Sequence, residues 1–199
     1  MMAKVMFDID GVLRDFSTGW RDMVAEVYGK RPPPSASWDF LEEYGKRELG
    51  MTPAQFRHWL FAKNGYNVMR NSPAYPGAVD AWNKIRAAGH YIIVITHQDT
   101  LQTMDGTFRW LSDRHMIPDM LKFSNVKWCD ADFYIEDKHS ELEKLADLVN
   151  CWSTTVVGVR RIWNDPDGIE GVRAVDSVAE YPAIIEEVIN DIRRNCGFV

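Results

Sequence analysis

Four short apolar runs, separated by stretches of helical periodicity, constrain this chain more than any other feature. They are KVMF at 4–7, HYIIVIT at 90–96, ADFYIED at 131–137 and TTVVGV at 154–159. Amphipathic stretches occupy 100–115 and 140–150, between the second and third and the third and fourth runs. Strands that are largely apolar and alternate with helices imply an α/β fold, in which a parallel sheet is flanked by helices on both faces. A last helix is predicted over about 178–194. There Ile184, Ile185, Val188, Ile189 and Ile192 recur at helical spacing as ordinary core residues.

How the runs end is as informative as how they are built. The first opens into Asp8-Ile9-Asp10, the second into Thr96-His97, and the third into Glu136-Asp137-Lys138. In an open parallel sheet, ligands bind outside the carboxyl ends of the strands. A carboxylate in an apolar setting is costly unless it is paired or metal-bound. Taken singly, each acid reads as a solvated strand terminus. Together, Asp8, Asp10, Glu136 and Asp137 would repel one another at a single edge, and a divalent cation relieves that repulsion. Hard oxygen ligands with room for water suit Mg2+.

The interval 16–75 breaks the alternation. It holds no convincing strand but shows helical patterns near 18–28, 38–49 and 53–63. Thr52-Pro53 reads as an N-cap followed by proline at the first helical position, and RPPPSAS at 31–37 reads as a linker. The division that follows is a core of residues 1–15 and 76–199, with a small helical cap of residues 16–75 inserted after the first strand, over the carboxyl edge of the sheet. The insert is rich in rings (Trp20, Tyr28, Trp38, Phe40, Tyr44, Phe56, Trp59, Phe61, Tyr66), and most of them are expected simply to hold a small bundle together.

Composition narrows the function. Of the 199 residues 46% are hydrophobic and 12% aromatic, enough for a packed core. A formal charge of −6 and a pI near 5.4 argue against a polymeric nucleic acid as partner, since that affinity comes largely from basic residues neutralising phosphates. Cys129, Cys151 and Cys196 match no metal-ligand spacing and make a poor disulfide framework. They read as reduced thiols. The apolar run at the start is too short for a signal peptide and nothing approaches a membrane span, so a cytoplasmic protein is expected.

In these residues the chain resembles the haloacid dehalogenase-like (HAD) hydrolases, whose four short motifs lie at consecutive strand ends of a Rossmann-like core. FDIDGVL at 7–13 is similar to the first motif and IRAAGHYIIVIT at 85–96 to the second. Lys127, in NVKWCDADF, is the best-placed lysine for the third, with Lys122 as a competitor, and FYIEDK at 133–138 is similar to the acidic fourth. The resemblance implies that Asp8 attacks phosphorus and becomes a transient aspartyl phosphate. Asp10 would protonate the leaving oxygen and then take a proton from water. Gly11 would let backbone N–H groups approach phosphate oxygens, Thr96 would donate to one, and Lys127 would offset the charge. Mg2+ would bind Asp8, the backbone carbonyl of Asp10 and Asp137, with Glu136 or Glu141 holding its waters. HAD dehalogenases lack the second aspartate and transport ATPases carry Lys-Thr after the nucleophile, so phosphate ester hydrolysis is the implied reaction.

A narrower resemblance is to the 5′(3′)-deoxyribonucleotidases. It rests on FDIDGVLRDF, on RNSPAYPGAVDAW at 70–82 and on GVRRIWND at 158–165. The chain departs from that family at Thr96-His97, where Thr-Ser is usual, so His97 stands where a second phosphate-binding hydroxyl would. The aromatic pair before Pro-Gly-Ala is reduced to Tyr75. Trp38 and Phe40, which follow the flexible linker, are the candidates for an aromatic wall against the base. His139 reads as a surface or capping residue, Arg160 and Arg161 as solvated or phosphate-reaching, and His58, His90 and His115 carry no signal. The implied substrate is a small phosphomonoester, a nucleoside monophosphate, with a homodimer left open. The alternatives are a phosphatase for another small phosphoester or a polynucleotide end, and a HAD-like binding protein without turnover.

Overall fold

The computed structural model describes residues 1–35, 37, 40–149 and 154–195, without the side chains of 148 and 149. Trp38, Cys151 and Cys196 lie outside the described residues. The described strands form a six-stranded, all-parallel sheet: β1 (Lys4–Phe7), β2 (Tyr91–Thr96), β3 (Met120–Phe123), β4 (Phe133–Glu136), β5 (Thr155–Val159) and β6 (Val172–Val175), in the order β3-β2-β1-β4-β5-β6. The order reverses direction between β1 and β4, and a crevice opens at such a point beyond the strand ends. The pleat sends alternate side chains to opposite faces. Val5, Phe7, Ile92, Val94, Phe133 and Ile135 enter one apolar cluster with residues such as Trp82 and Ile185, while Met6, Ile93, Ile95 and Tyr134 enter another with Leu142 and Leu145. Burial on both faces is why the central strands read as unbroken apolar runs.

The helices of the core are α5 (Ala78–Ala87), α6 (Leu101–Asp113), α7 (His139–Val149) and α8 (Tyr181–Asn195). Before them in the chain come α1 (Phe16–Tyr28), α2 (Phe40–Leu49), α3 (Pro53–Arg57) and α4 (Gly65–Asn71), with a π-helical stretch over His58–Lys63. Thr52 caps α3, with Pro53 at its first position. Most rings of this insert do hold a bundle. Phe16, Trp20, Tyr44 and Phe56 are buried with Met23, Leu60 and Val68 in a cluster of their own, against which Phe40, Trp59 and Phe61 pack. The connections into and out of the insert run side by side, Asp15 N donating to Pro73 O and Tyr75 N to Leu13 O, both at 2.9 Å. Helix α4 lies close on α6. A Cβ on Gly106 would come within 2.5 Å of Tyr66 O, so only glycine permits that approach.

Four elements depart from the sequence reading. β3 and β6 are edge strands of four residues with alternating or partial exposure, so they lack a continuous apolar run. α4 is a seven-residue helix that begins at a glycine and offers too few turns for a period. The stretch 53–63 is helical throughout but widens to π-helix from His58, with Asn64 N donating to Trp59 O.

Candidate active site

The carboxyl ends of β1, β2 and β4, together with the loop before β4, bring their residues to one place. Asp8 follows β1 and is buried. Lys127, from the loop after β3, sets its Nζ 2.5 Å from Asp8 Oδ1 and 3.4 Å from Glu136 Oε2, and donates to Ile95 O at 3.1 Å. Lys127 stands where the sequence suggested, and Lys122 points away as an exposed residue of edge strand β3. Burial works against the Lys127 charge, yet Asp8 and Glu136 outweigh it and hold its pKa above the usual lysine range. Thr96 closes β2, fully buried.

Asp8, Glu136 and Asp137 each direct a carboxylate oxygen to within 4.8 Å of the others, and all three are buried. Burial foremost, and then the charge of Asp8, pushes the Asp137 carboxyl up to about 7, against the Trp163 N–H and Arg161, which pull it down. Glu136 is raised for the same two reasons, with Lys127 opposing. Its Oε1 accepts from the backbone N–H groups of Asp137 and Lys138, at 3.1 Å each, while Oε2 accepts no hydrogen bond from the described residues. Three buried carboxylates facing one ammonium leave negative charge uncompensated. An all-oxygen set with an unsatisfied oxygen suits a hard divalent cation. Gly11, at φ +85°, is obligatory here, because a Cβ would fall 2.1 Å from Asp137 Oδ2.

The Asp10 side chain is not part of that group. The Arg14 guanidinium grips it as a fork, Nε to Oδ1 at 2.7 Å and Nη2 to Oδ2 at 2.9 Å, and Gln98 Nε2 donates to Oδ2 at 3.0 Å. His97 is exposed and paired with Asp99 at 2.7 Å. Trp163 Nε1 donates to Asp137 Oδ2 at 2.7 Å, and Arg161 Nε donates to Gly11 O at 2.6 Å with its guanidinium 3.9 Å from the centre of the Tyr75 ring. Arg160 instead pairs with Asp167 and Asp176 on the surface. Arg14, Gln98 and Trp163 are additions to the sequence reading. Arg14 and Trp163 sat inside stretches already singled out, but no pattern marked their partners. Glu141 is buried near the mouth and paired with Lys144 at 2.7 Å, and exposed His139 faces Glu143 one turn on.

Above these groups opens a cavity of about 720 Å³. Asp8, Asp10, Thr96, His97, Lys127, Glu136 and Asp137 line it on the core side, and Phe16, Leu41, Phe56, Phe61 and Met69 on the insert side. The Phe16 and Phe61 rings lie nearly parallel, with centres 6.1 Å apart. Phe40 is placed elsewhere. It packs against Trp20 and Tyr44 and borders a small cleft with Ser17 and Trp163, so it is not among the residues lining the large cavity.

The profile of the family described as 5′ nucleotidase, deoxy (pyrimidine), cytosolic type C matches residues 1–156. The chain belongs to this family. As a type C 5′-nucleotidase it is a HAD-superfamily phosphatase, a phosphoric monoester hydrolase of the 5′-nucleotidase type. No curated protein sequence matches it. Solved structures share its fold at low identity. L-2-haloacid dehalogenase from Xanthobacter autotrophicus is 12% identical with a TM-score of 0.62, covering 94% of this chain and 99% of its own. CbbY from Rhodobacter sphaeroides, in complex with phosphate, is 15% identical at 0.57, covering 90% and 96%. A HAD family hydrolase from Deinococcus radiodurans R1, with bound phosphate and sodium, is 17% identical at 0.57, covering 94% and 96%. The type C 5′-nucleotidase fold thus sits within the HAD architecture. No described helix is long and apolar enough to cross a membrane.

Proposed function

We propose that the protein hydrolyses nucleoside monophosphates, deoxyribonucleoside monophosphates foremost, in the cytoplasm, with Mg2+ as cofactor. The observation that carries this reading is the cavity, which joins a floor of carboxylates and the buried Lys127 to a wall of phenylalanine rings. A phosphate fits the floor and a flat base fits the wall. The family description, which names deoxy and pyrimidine substrates, points the same way.

Asp8 is the nucleophile. Its carboxylate oxygen forms the bond to phosphorus as the ester oxygen leaves, and Asp10 gives that oxygen a proton. Water then attacks the aspartyl phosphate, Asp10 takes the water's proton, and phosphate departs with Asp8 restored. Lys127 balances charge shared between Asp8 and the phosphoryl group. Thr96, with the backbone around Gly11, binds phosphate oxygens, and His97 borders the same space. Asp8, Asp137 and the Asp10 carbonyl would hold the Mg2+, with Glu136 in support; bound there, it would neutralise phosphoryl charge. Residues 16–75 act as the cap, with Phe16 and Phe61 as base-stacking rings in preference to Phe40.

Phosphate release from a deoxyribonucleoside monophosphate, measured with Mg2+ and with a chelator, tests the reading. The wild type should turn over only with the metal. Asp8→Asn, nearly isosteric, should fold and be inactive because an amide cannot form the phosphoryl intermediate. Metal-independent turnover, or turnover by Asp8→Asn, refutes it.

A further inference from the structure

Arg14 is completely buried, and the carboxylate it meets is that of Asp10, whose side chain is 18% exposed. A buried guanidinium is tolerated only where its charge and its N–H groups are met. Two prongs go to Asp10, and Nη1 donates to Met69 O at 3.2 Å and to Thr107 Oγ1 at 3.0 Å. The guanidinium also stands 5.5 Å from the centre of the Trp110 ring, which Arg114 approaches at 4.5 Å from its own side. Arg14 thus ties three parts together: the loop after β1, helix α4 of the insert, and helix α6 of the core.

We propose that Arg14 is a positioning residue that fixes the aim of the Asp10 carboxylate and makes that aim depend on the seating of α4. The inference rests on Asp10 acting as acid and base, as above. A carboxylate offers about four lone-pair positions. Arg14 occupies one on each oxygen and Gln98 the second on Oδ2. The second lone pair of Oδ1 remains, so the proton is carried there. The fork also stops the carboxylate from rotating, which a single-point lysine contact would allow.

The test compares an aryl phosphate, p-nitrophenyl phosphate, with an alkyl phosphate, glycerol phosphate, in wild type, Arg14→Met, Arg14→Lys, Asp10→Asn and the double variant Asp10→Asn/Arg14→Met. A good leaving group needs little protonation, so loss of aim should spare the aryl ester. Arg14→Met should lower kcat on the alkyl ester roughly ten- to a hundredfold more than on the aryl ester, with KM little changed. Arg14→Lys should show the same contrast in smaller measure, and it carries the test if the Met variant does not fold. Asp10→Asn should show the contrast in full, and adding Arg14→Met to it should cost nothing further. Equal losses on both esters in a variant that melts like the wild type overturn the proposal, as do losses that multiply in the double variant. If Asp10→Asn itself lacks the contrast, the acid–base role of Asp10 falls first and the proposal with it.

Discussion

Asp137 shows most clearly what burial beside another carboxylate does in this site. Its carboxyl is buried beside Asp8 and pushed up to about 7, whereas an unfolded aspartate titrates near 3.9. A folded-state value above the unfolded one means that folding favours the protonated form. The stability this group contributes is therefore complete below about pH 4 and is lost as pH rises to about 7. Metal-free protein should melt at a lower temperature at pH 8 than at pH 5 from this source. Mg2+ should raise the melting temperature by several degrees more at pH 8 than at pH 5, roughly 3–10 °C. Asp137→Asn should flatten the pH slope to the part that buried Glu136 contributes, and should lose most of the metal response. Thermal unfolding with chelator or Mg2+ at the two pH values checks this, and an equal Mg2+ response at both counts against a role for Asp137 in holding the metal. The residues most legible in the sequence are those set by strand ends: Thr96 and Glu136 close central strands, Asp8 and Asp137 directly follow them, and a strand end fixes where a side chain emerges. Gln98 and Trp163 reach partners 88 and 26 residues away. Those directions are decided by tertiary packing, which no local pattern records.

At the scale of elements, legibility followed burial. β1, β2, β4 and β5 are nearly continuous apolar runs because both faces are covered, whereas the edge strands MLKF and VRAV are partly solvated and present no such run. The π-helical stretch could not be told from α-helix, since both carry apolar residues about four apart. The difference bears on function, because π segments are rare and concentrate at functional sites. This one presents Phe61 to the cavity, and Phe61 O accepts a hydrogen bond from Thr100 Oγ1 at 3.0 Å, next to α6. Base stacking on a ring is worth about 1–3 kcal/mol. Phe61→Ala should therefore raise KM for a nucleoside monophosphate about five- to tenfold, at the lower end of that range, and leave kcat close to wild type. Its kinetics on glycerol phosphate should not change. Equal effects on the two substrates would mean that Phe61 supports the fold and not the base.

The whole molecule draws the charged floor and the apolar wall of the cavity from different parts of the chain. The floor comes from the carboxyl edge of the sheet, and the wall mostly from helices inserted after β1 and joined to the core by paired linkers. The alternation of strands and its interruption by helices after β1 are legible in the sequence, but not which ring faces the cavity. Phe40, chosen for its place after the linker, packs within the insert. Division of labour between floor and wall makes a definite demand on specificity. Any small phosphomonoester can use the floor, and only one bearing a flat apolar group gains from the wall. The direct measurement is kcat/KM of the wild-type enzyme, with Mg2+, for a deoxyribonucleoside 5′-monophosphate against ribose 5-phosphate. A preference for the nucleotide of roughly ten- to a hundredfold is predicted. Equal values, or a preference for the sugar phosphate, would contradict the nucleotidase reading and leave a general phosphatase.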